Sequence, residues 1–129
     1  MSGDMLIILH RFNIRCRTNH DMFWYVSEGR IRTSKNKRVR TSFRVTTRDV
    51  DLLGNVMIGE DQITLHIMPS GTSSVQTHVE IDDLGALIPS GRGSYFRFSD
   101  FELGYFTSNE AGELIYDSDG RGIERWELA

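Results

Sequence analysis

Hydrophobic and polar residues alternate with a period of two along much of the chain, which is the pattern of β-strands with one buried face. In residues 11–17, Phe12, Ile14 and Cys16 fall on one side, and the residues between them are polar or basic. No segment shows the extended 3.6-residue period of an amphipathic helix. The same alternation recurs in residues 38–45, 63–68 and 75–82.

The remaining strand signals are shorter, and turn residues separate them. Residues 22–33 begin with a run of β-favouring aromatic and branched residues and reach Ile31 between two arginines. Residues 69–73 predict the turn of a hairpin between the strands at 63–68 and 75–82, and residues 34–37 predict a hairpin turn before 38–45. Four further short strands are predicted at residues 95–98, 103–107, 113–116 and 123–128.

Helical signals are confined to short segments with capping acids and a terminal glycine, at residues 48–54, 81–85 and 99–104. About seven or eight short strands with one or two short helical turns predict a mostly β fold, a small antiparallel β-barrel or β-sandwich. Closure removes exposed sheet edges, which slightly favours the barrel. The length of 129 residues predicts a single β-rich domain over residues 1–129.

Composition narrows the class of protein. Hydrophobic residues make up 39% of the chain and charged residues 26%, which suits a folded domain with a buried core. The single cysteine, Cys16, excludes an internal disulfide and multi-cysteine zinc sites, and it fits a reducing compartment. No stretch approaches the roughly 18 apolar residues of a membrane span. We therefore expect a cytoplasmic protein without a membrane partner; a virion component would have the same properties.

Charge is divided unevenly along the chain. Residues 1–48 contain eleven basic and three acidic residues, a net charge of +8, whereas residues 49–129 contain four basic and fifteen acidic residues, a net charge of −11. Two domains of opposite sign are not expected, because 48 residues rarely form a core alone. The basic and acidic poles of neighbouring molecules could instead meet, which predicts a possible homo-oligomer.

Arginines fall on one side of each of the three early alternating segments. If those strands are neighbours in a sheet, the arginines form one patch that suits phosphate or carboxylate groups. The alternative is a solvated outer face on which the arginines pair with acids of the same chain. The predicted binding residues are Arg15, Arg17, Arg30, Arg32, Arg38, Arg40 and Arg44.

Nucleic acid is one possible ligand for this patch. Phe23, Trp24 and Tyr25 could offer a stacking platform beside the arginines. Alternation, however, places Trp24 opposite the other two rings, so at least one of the three is expected in the core. The sequence pI of about 5.8 is also low for a dedicated nucleic-acid-binding protein.

Two histidines and a glutamate are the weak candidates for a metal site. If Ile67 opposes Val75 in the predicted hairpin, then His66 and His78 are diagonal neighbours on one face, and Glu80 lies beyond them. Two imidazoles and a carboxylate can hold a divalent metal, which would make a small metal-dependent enzyme. The alternative is a pair of polar surface histidines.

Other catalytic patterns are absent from the sequence. The glycine-rich residues 90–94 lack the lysine and spacing of a P-loop, and no nucleophile elbow or HExxH motif occurs. Cys16 lies on the apolar side of its strand, which favours a buried, inert thiol. No catalytic residue and no cofactor is assigned.

These observations favour a non-enzymatic binding protein, of an accessory, inhibitor or immunity type, that engages a macromolecular partner through charged surfaces. A protein partner is preferred. The alternatives are a nucleic-acid-binding β-barrel that uses the arginines, and a metal-dependent enzyme centred on His66, His78 and Glu80.

Overall fold

The fold is known from a computed structural model that describes residues 11–47, 62–69 and 77–129. Regular structure in these ranges consists of short strands and one 3₁₀ helix, Phe98–Phe101. The strands are β1 (Ile14–Cys16), β2 (Phe23–Ser27), β3 (Arg30–Ser34), β4 (Phe43–Thr47), β5 (Gln62–Ile67), β6 (Thr77–Ile81), β7 (Leu87–Ser90), β8 (Phe96–Arg97), β9 (Phe106–Ser108), β10 (Leu114–Tyr116) and β11 (Trp126–Leu128).

The strands form three antiparallel sheets. One has four strands in the order β11-β1-β2-β3, a second has the order β4-β5-β6-β7 with β8 also paired to β5, and β9 and β10 form a two-stranded ribbon. The predicted mostly β, antiparallel fold is confirmed. The described strands do not close into a barrel, although closure was slightly favoured from the sequence.

The strand count exceeds the prediction for two reasons. Residues 22–33 were interpreted as one segment, but Glu28 and Gly29 both have positive φ (55° and 73°) and turn the chain between β2 and β3. Two such residues make the tight turn that matches strand twist in a hairpin. In addition, β7 was not predicted, because Pro89 interrupts its apolar run and proline is unfavourable in strands.

The predicted hairpin turn at residues 34–37 is wrong, because β3 and β4, the strands on either side of it, do not pair with each other. The chain bends there, and Thr41 then bonds the edge of β2: its N–H donates to the Trp24 carbonyl and its hydroxyl accepts from the Val26 N–H. Thr41 thus lies at the point where the chain leaves the four-stranded sheet. The next strand, β4, pairs with β5 in the other sheet.

Trp24 lies at the centre of the core. It is fully buried, and its ring centroid lies 5.1–6.1 Å from those of Phe43, Phe101, Phe106 and Trp126. These rings come from β4, the 3₁₀ helix, β9 and β11, so one side chain joins all parts of the fold. The expectation that one of the rings at positions 23–25 is core is confirmed.

Helical structure is as limited as predicted. Residues 99–104 overlap the 3₁₀ helix, whereas residues 81–85 form a turn in which the Asp82 carboxylate accepts from the N–H groups of Leu84 and Ala86. The predicted helical turn at 48–54 lies outside the described residues. Within those residues, no helix has the length and hydrophobicity needed to cross a membrane.

Candidate functional site

The outer surface of the four-stranded sheet gathers arginines from separate strands. Arg15 lies opposite Phe23 across β1 and β2, and Arg32 lies opposite Tyr25 across β2 and β3. Directly opposed residues of antiparallel strands share a face. We call this surface the arginine face, and it comprises Arg15, Arg17, Phe23, Tyr25, Arg30, Arg32, Arg40, Glu113 and Glu127.

Two of the seven predicted arginines lie elsewhere. Arg44 is in β4, within the five-stranded sheet, opposite His66. Arg38 is exposed in the loop between β3 and β4, where its backbone N–H donates to the side-chain oxygen of Asn36. The arginine face is therefore smaller than the predicted patch, because β4 joins the other sheet.

Glu127 of β11 anchors one end of the arginine face. Its Oε2 accepts from Arg15 Nε at 2.6 Å, and its Oε1 lies 3.9 Å from Arg17 Nε. His20 Nε2 is 3.6 Å from the same carboxylate. The hydrogen bond from Arg15 and the surrounding positive charge lower the pKa of Glu127, although partial desolvation opposes this shift.

Glu113 occupies the equivalent place at the other end. Its Oε2 lies 3.5 Å from Arg30 Nε and 3.5 Å from Arg32 Nη2. An isolated bridge between Arg32 and Glu113 brings this carboxylate beside β3, at the start of β10. One carboxylate is thus shared by two arginines at each end of the face.

This sharing leaves a positive excess. Four of the five arginines of the arginine face pair with three carboxylates, those of Glu102, Glu113 and Glu127. The fifth, Arg40, lies over the Phe23 ring, so five positive charges stand against three negative ones, a formal difference of +2. Each guanidinium carries five N–H donors. The internal pairing considered as an alternative from the sequence therefore occurs, but it does not neutralise the face.

The aromatic residues do not form the predicted stacking platform. Trp24 is in the core, and Phe23 is only 4% exposed, with the Arg40 guanidinium 5.1 Å above its ring centroid. Only Tyr25 of the three keeps partial exposure. The strand alternation and the cation–π contact explain why two rings are unavailable to a base.

The two central histidines lie directly opposite each other across β5 and β6, with ring centroids 4.2 Å apart. The predicted diagonal placement is therefore wrong by two residues of register. Thr46 Oγ1 and Thr64 Oγ1 lie 3.2 and 3.4 Å from His66 Nε2. Burial, His78 and Arg44 lower the pKa of His66 to about 4.

The described residues do not form a three-ligand metal site around these histidines. Across residues 11–47, 62–69 and 77–129, no group of three or more His, Cys, Asp or Glu side chains is placed to hold a metal ion. Glu80 therefore does not complete a site with His66 and His78. The glycine-rich loop at residues 90–94 lies close to His78. A Cβ atom added at Gly93 would be only 2.8 Å from the His78 Cβ.

Comparison with known proteins adds no assignment: no protein-family model, no curated protein and no solved structure matches this chain. Function must accordingly be argued from the residues. The sequence had indicated the arginines but not their carboxylate partners, since Arg15 and Glu127 are 112 positions apart. Glu127 alternates with Trp126 and Leu128, which signals an outward position without identifying a partner.

Proposed function

We propose that this chain is a non-enzymatic binding protein whose arginine face binds an acidic surface of a protein partner. The observation that carries the proposal is the sharing of one carboxylate between two arginines at each end of the face. Arg30 Nε and Arg32 Nη2 both lie 3.5 Å from Glu113 Oε2, and Arg32 Nε donates to the Ser27 carbonyl. The other N–H groups of these two guanidiniums have no acceptor among the described residues. A partner carboxylate would accept from these donors.

The composition of the face favours protein over nucleic acid. Arginine and tyrosine are enriched among the residues that contribute most to protein–protein affinity, and Tyr25 lies directly beside Arg32. Glu113 and Glu127 would repel a phosphate backbone but could receive a basic group of a protein.

The arginines are held in position before any partner arrives. Arg15 is fixed by its 2.6 Å bond to Glu127, and Arg40 is stacked on Phe23. Ordering a long side chain on binding costs about 0.5–1.5 kcal/mol, so a face that is already ordered loses less entropy.

A cytoplasmic location is part of the proposal. It is supported by Cys16, which is buried as a free thiol and forms no disulfide.

The test compares tagged forms of the protein in pull-downs from its source cells. The first variant, Arg30→Ala/Arg32→Ala, removes two charges from the arginine face. The control, Arg92→Ala/Arg121→Ala, removes two charges from exposed positions outside the sheets. We expect one protein to be retained by the wild type and the control and lost from the first variant.

Two results would overturn the proposal. One is equal retention of the partner on Arg30→Ala/Arg32→Ala, which would place the contact elsewhere. The other is retention that disappears after nuclease treatment, which would favour the nucleic-acid alternative. In that case binding should weaken steeply with salt, because each neutralised phosphate releases a counterion.

A further inference from the structure

Strand β11 is at one edge of the four-stranded sheet, and no other strand of residues 11–47, 62–69 or 77–129 pairs with its outer side. Backbone bonds join Asn13 to Ala129 and Arg17 to Arg125 on either side of the β1–β11 register. Hydrogen-bonded and non-bonded pairs alternate in an antiparallel ladder. The N–H and C=O groups of Trp126 and Leu128 therefore point away from β1, and no described residue forms a backbone hydrogen bond with them.

A groove of about 330 Å³ runs along this edge. Successive side chains of a strand point to opposite faces of the sheet, so a groove on one face would contact only alternate residues. This groove contacts all three residues of β11 and therefore lies along the edge of the strand. The 3₁₀ helix and the residue after it form the facing wall. The lining residues are Phe98, Ser99, Phe101, Glu102, Trp126, Glu127 and Leu128.

The groove is apolar inside, and its rim carries the carboxylates of Glu102 and Glu127, which are paired with Arg17 and Arg15. Phe98, Phe101 and Leu128 supply the apolar surface. Glu102 has a side chain that is 62% exposed, and its Oε1 binds Arg17 at 2.7 Å. Its Oε2 has no hydrogen-bond partner among the described residues, so the rim offers a carboxylate oxygen to a basic group.

We propose that this edge binds an extended peptide segment of a partner protein, which pairs with β11 as an additional strand. The peptide would place a large apolar side chain in the groove and a lysine or arginine near Glu102. Backbone bonds to a free edge supply affinity in this mode, and the pocket for an alternate side chain supplies specificity. The strand edge, the apolar groove and the Glu102 Oε2 acceptor together identify this occupant.

The peptide site adjoins the arginine face at Glu127 and at the Arg17–Glu102 pair, but it does not include Arg30 or Arg32. It uses the edge of β11 and the 3₁₀ helix, whereas Arg30 and Arg32 lie on β3, at the opposite end of the four-stranded sheet. The Arg30→Ala/Arg32→Ala variant should therefore bind the peptide as the wild type does. Failure of either proposal leaves the other unaffected.

The test titrates the full chain with the capped peptide Lys-Thr-Phe-Thr-Lys and follows backbone amides by ¹⁵N NMR. We expect saturable shifts for Trp126 and Leu128. N-methylation of the three central peptide amides removes the backbone N–H donors of the peptide and should weaken its binding by about tenfold or more. Glu102→Gln should weaken it severalfold, while Glu110→Gln, a control at an exposed turn, should not.

Four outcomes would overturn the inference. They are no saturable shift up to about 5 mM peptide, binding that survives N-methylation, shifts confined to β3, and concentration-dependent broadening of the β11 amides without peptide. The last would show that a second copy of the chain occupies the edge.

Discussion

Acid should destabilise this protein through His66, and the variant His66→Gln should remove that sensitivity. His66 is flanked on its own face by His78 on β6 and by Arg44 on β4. The nearest hydroxyls, those of Thr46 and Thr64, are neutral. Protonation of His66 would therefore place a positive charge between Arg44 and His78, in a row to which the described part of the chain contributes no carboxylate.

The magnitude follows from the pKa of His66, which is 6.5 unperturbed and about 4 in the folded chain. The unfolded chain therefore binds the proton more readily, so stability falls as pH decreases from about 6.5 to about 4 and the loss is complete below that. Each pKa unit corresponds to about 1.4 kcal/mol, and partial solvent contact reduces the effect. We expect a loss of about 1–2 kcal/mol.

Urea unfolding followed by tryptophan fluorescence measures this loss, since Trp24 and Trp126 are both buried. The free energy of unfolding is compared between pH 7.5 and pH 4 for the wild type and for His66→Gln, which keeps the hydroxyl contacts but cannot become charged. Carboxylates that titrate in the same range affect both proteins and cancel in the difference. Parallel pH profiles for the two proteins would refute the role assigned to His66.

Further predictions concern the core, the glycine-rich loop and the arginine face. Trp24→Ala should lower the free energy of unfolding by about 3–5 kcal/mol in urea, and a loss below about 1 kcal/mol would contradict its central position. Gly93→Ala should reduce the urea midpoint more than Gly29→Ala: both have positive φ, but only a Cβ at Gly93 meets His78, at 2.8 Å. Equal midpoints would refute that contact. Glu113→Gln should change stability by less than about 1 kcal/mol, as for other partly exposed ion pairs. It should nevertheless strengthen binding of fluorescent polyglutamate, measured by anisotropy; unchanged binding would argue against competition by Glu113.

Strand positions were largely predictable because alternation is a local property. Phe12, Ile14 and Cys16 share one side wherever the strand is placed, and burial of Ile14 and Cys16 follows from that side facing the core. Pairing is not local. Residues 38–45 alternate like their neighbours, yet the hydrogen bonds of Thr41 to β2 send β4 to another sheet.

The histidine pair shows the same limit. The hairpin of β5 and β6 was predicted, but its register depends on the length and geometry of the connection between the strands. A change of two residues preserves which face His66 and His78 occupy and alters which side chains touch. The predicted face was therefore right, and the predicted neighbours were wrong.

The sequence alone determined that this chain is mostly β, that its arginines alternate with core residues, and that its charge is divided. Those properties depend on side-chain order within a few residues. Tertiary structure alone decided that Glu113 and Glu127 each pair with two arginines, that Phe23 is covered, and that β11 lies at a sheet edge with which no other described strand pairs. These features join positions far apart in the chain, and the free energy of packing the whole core selects them.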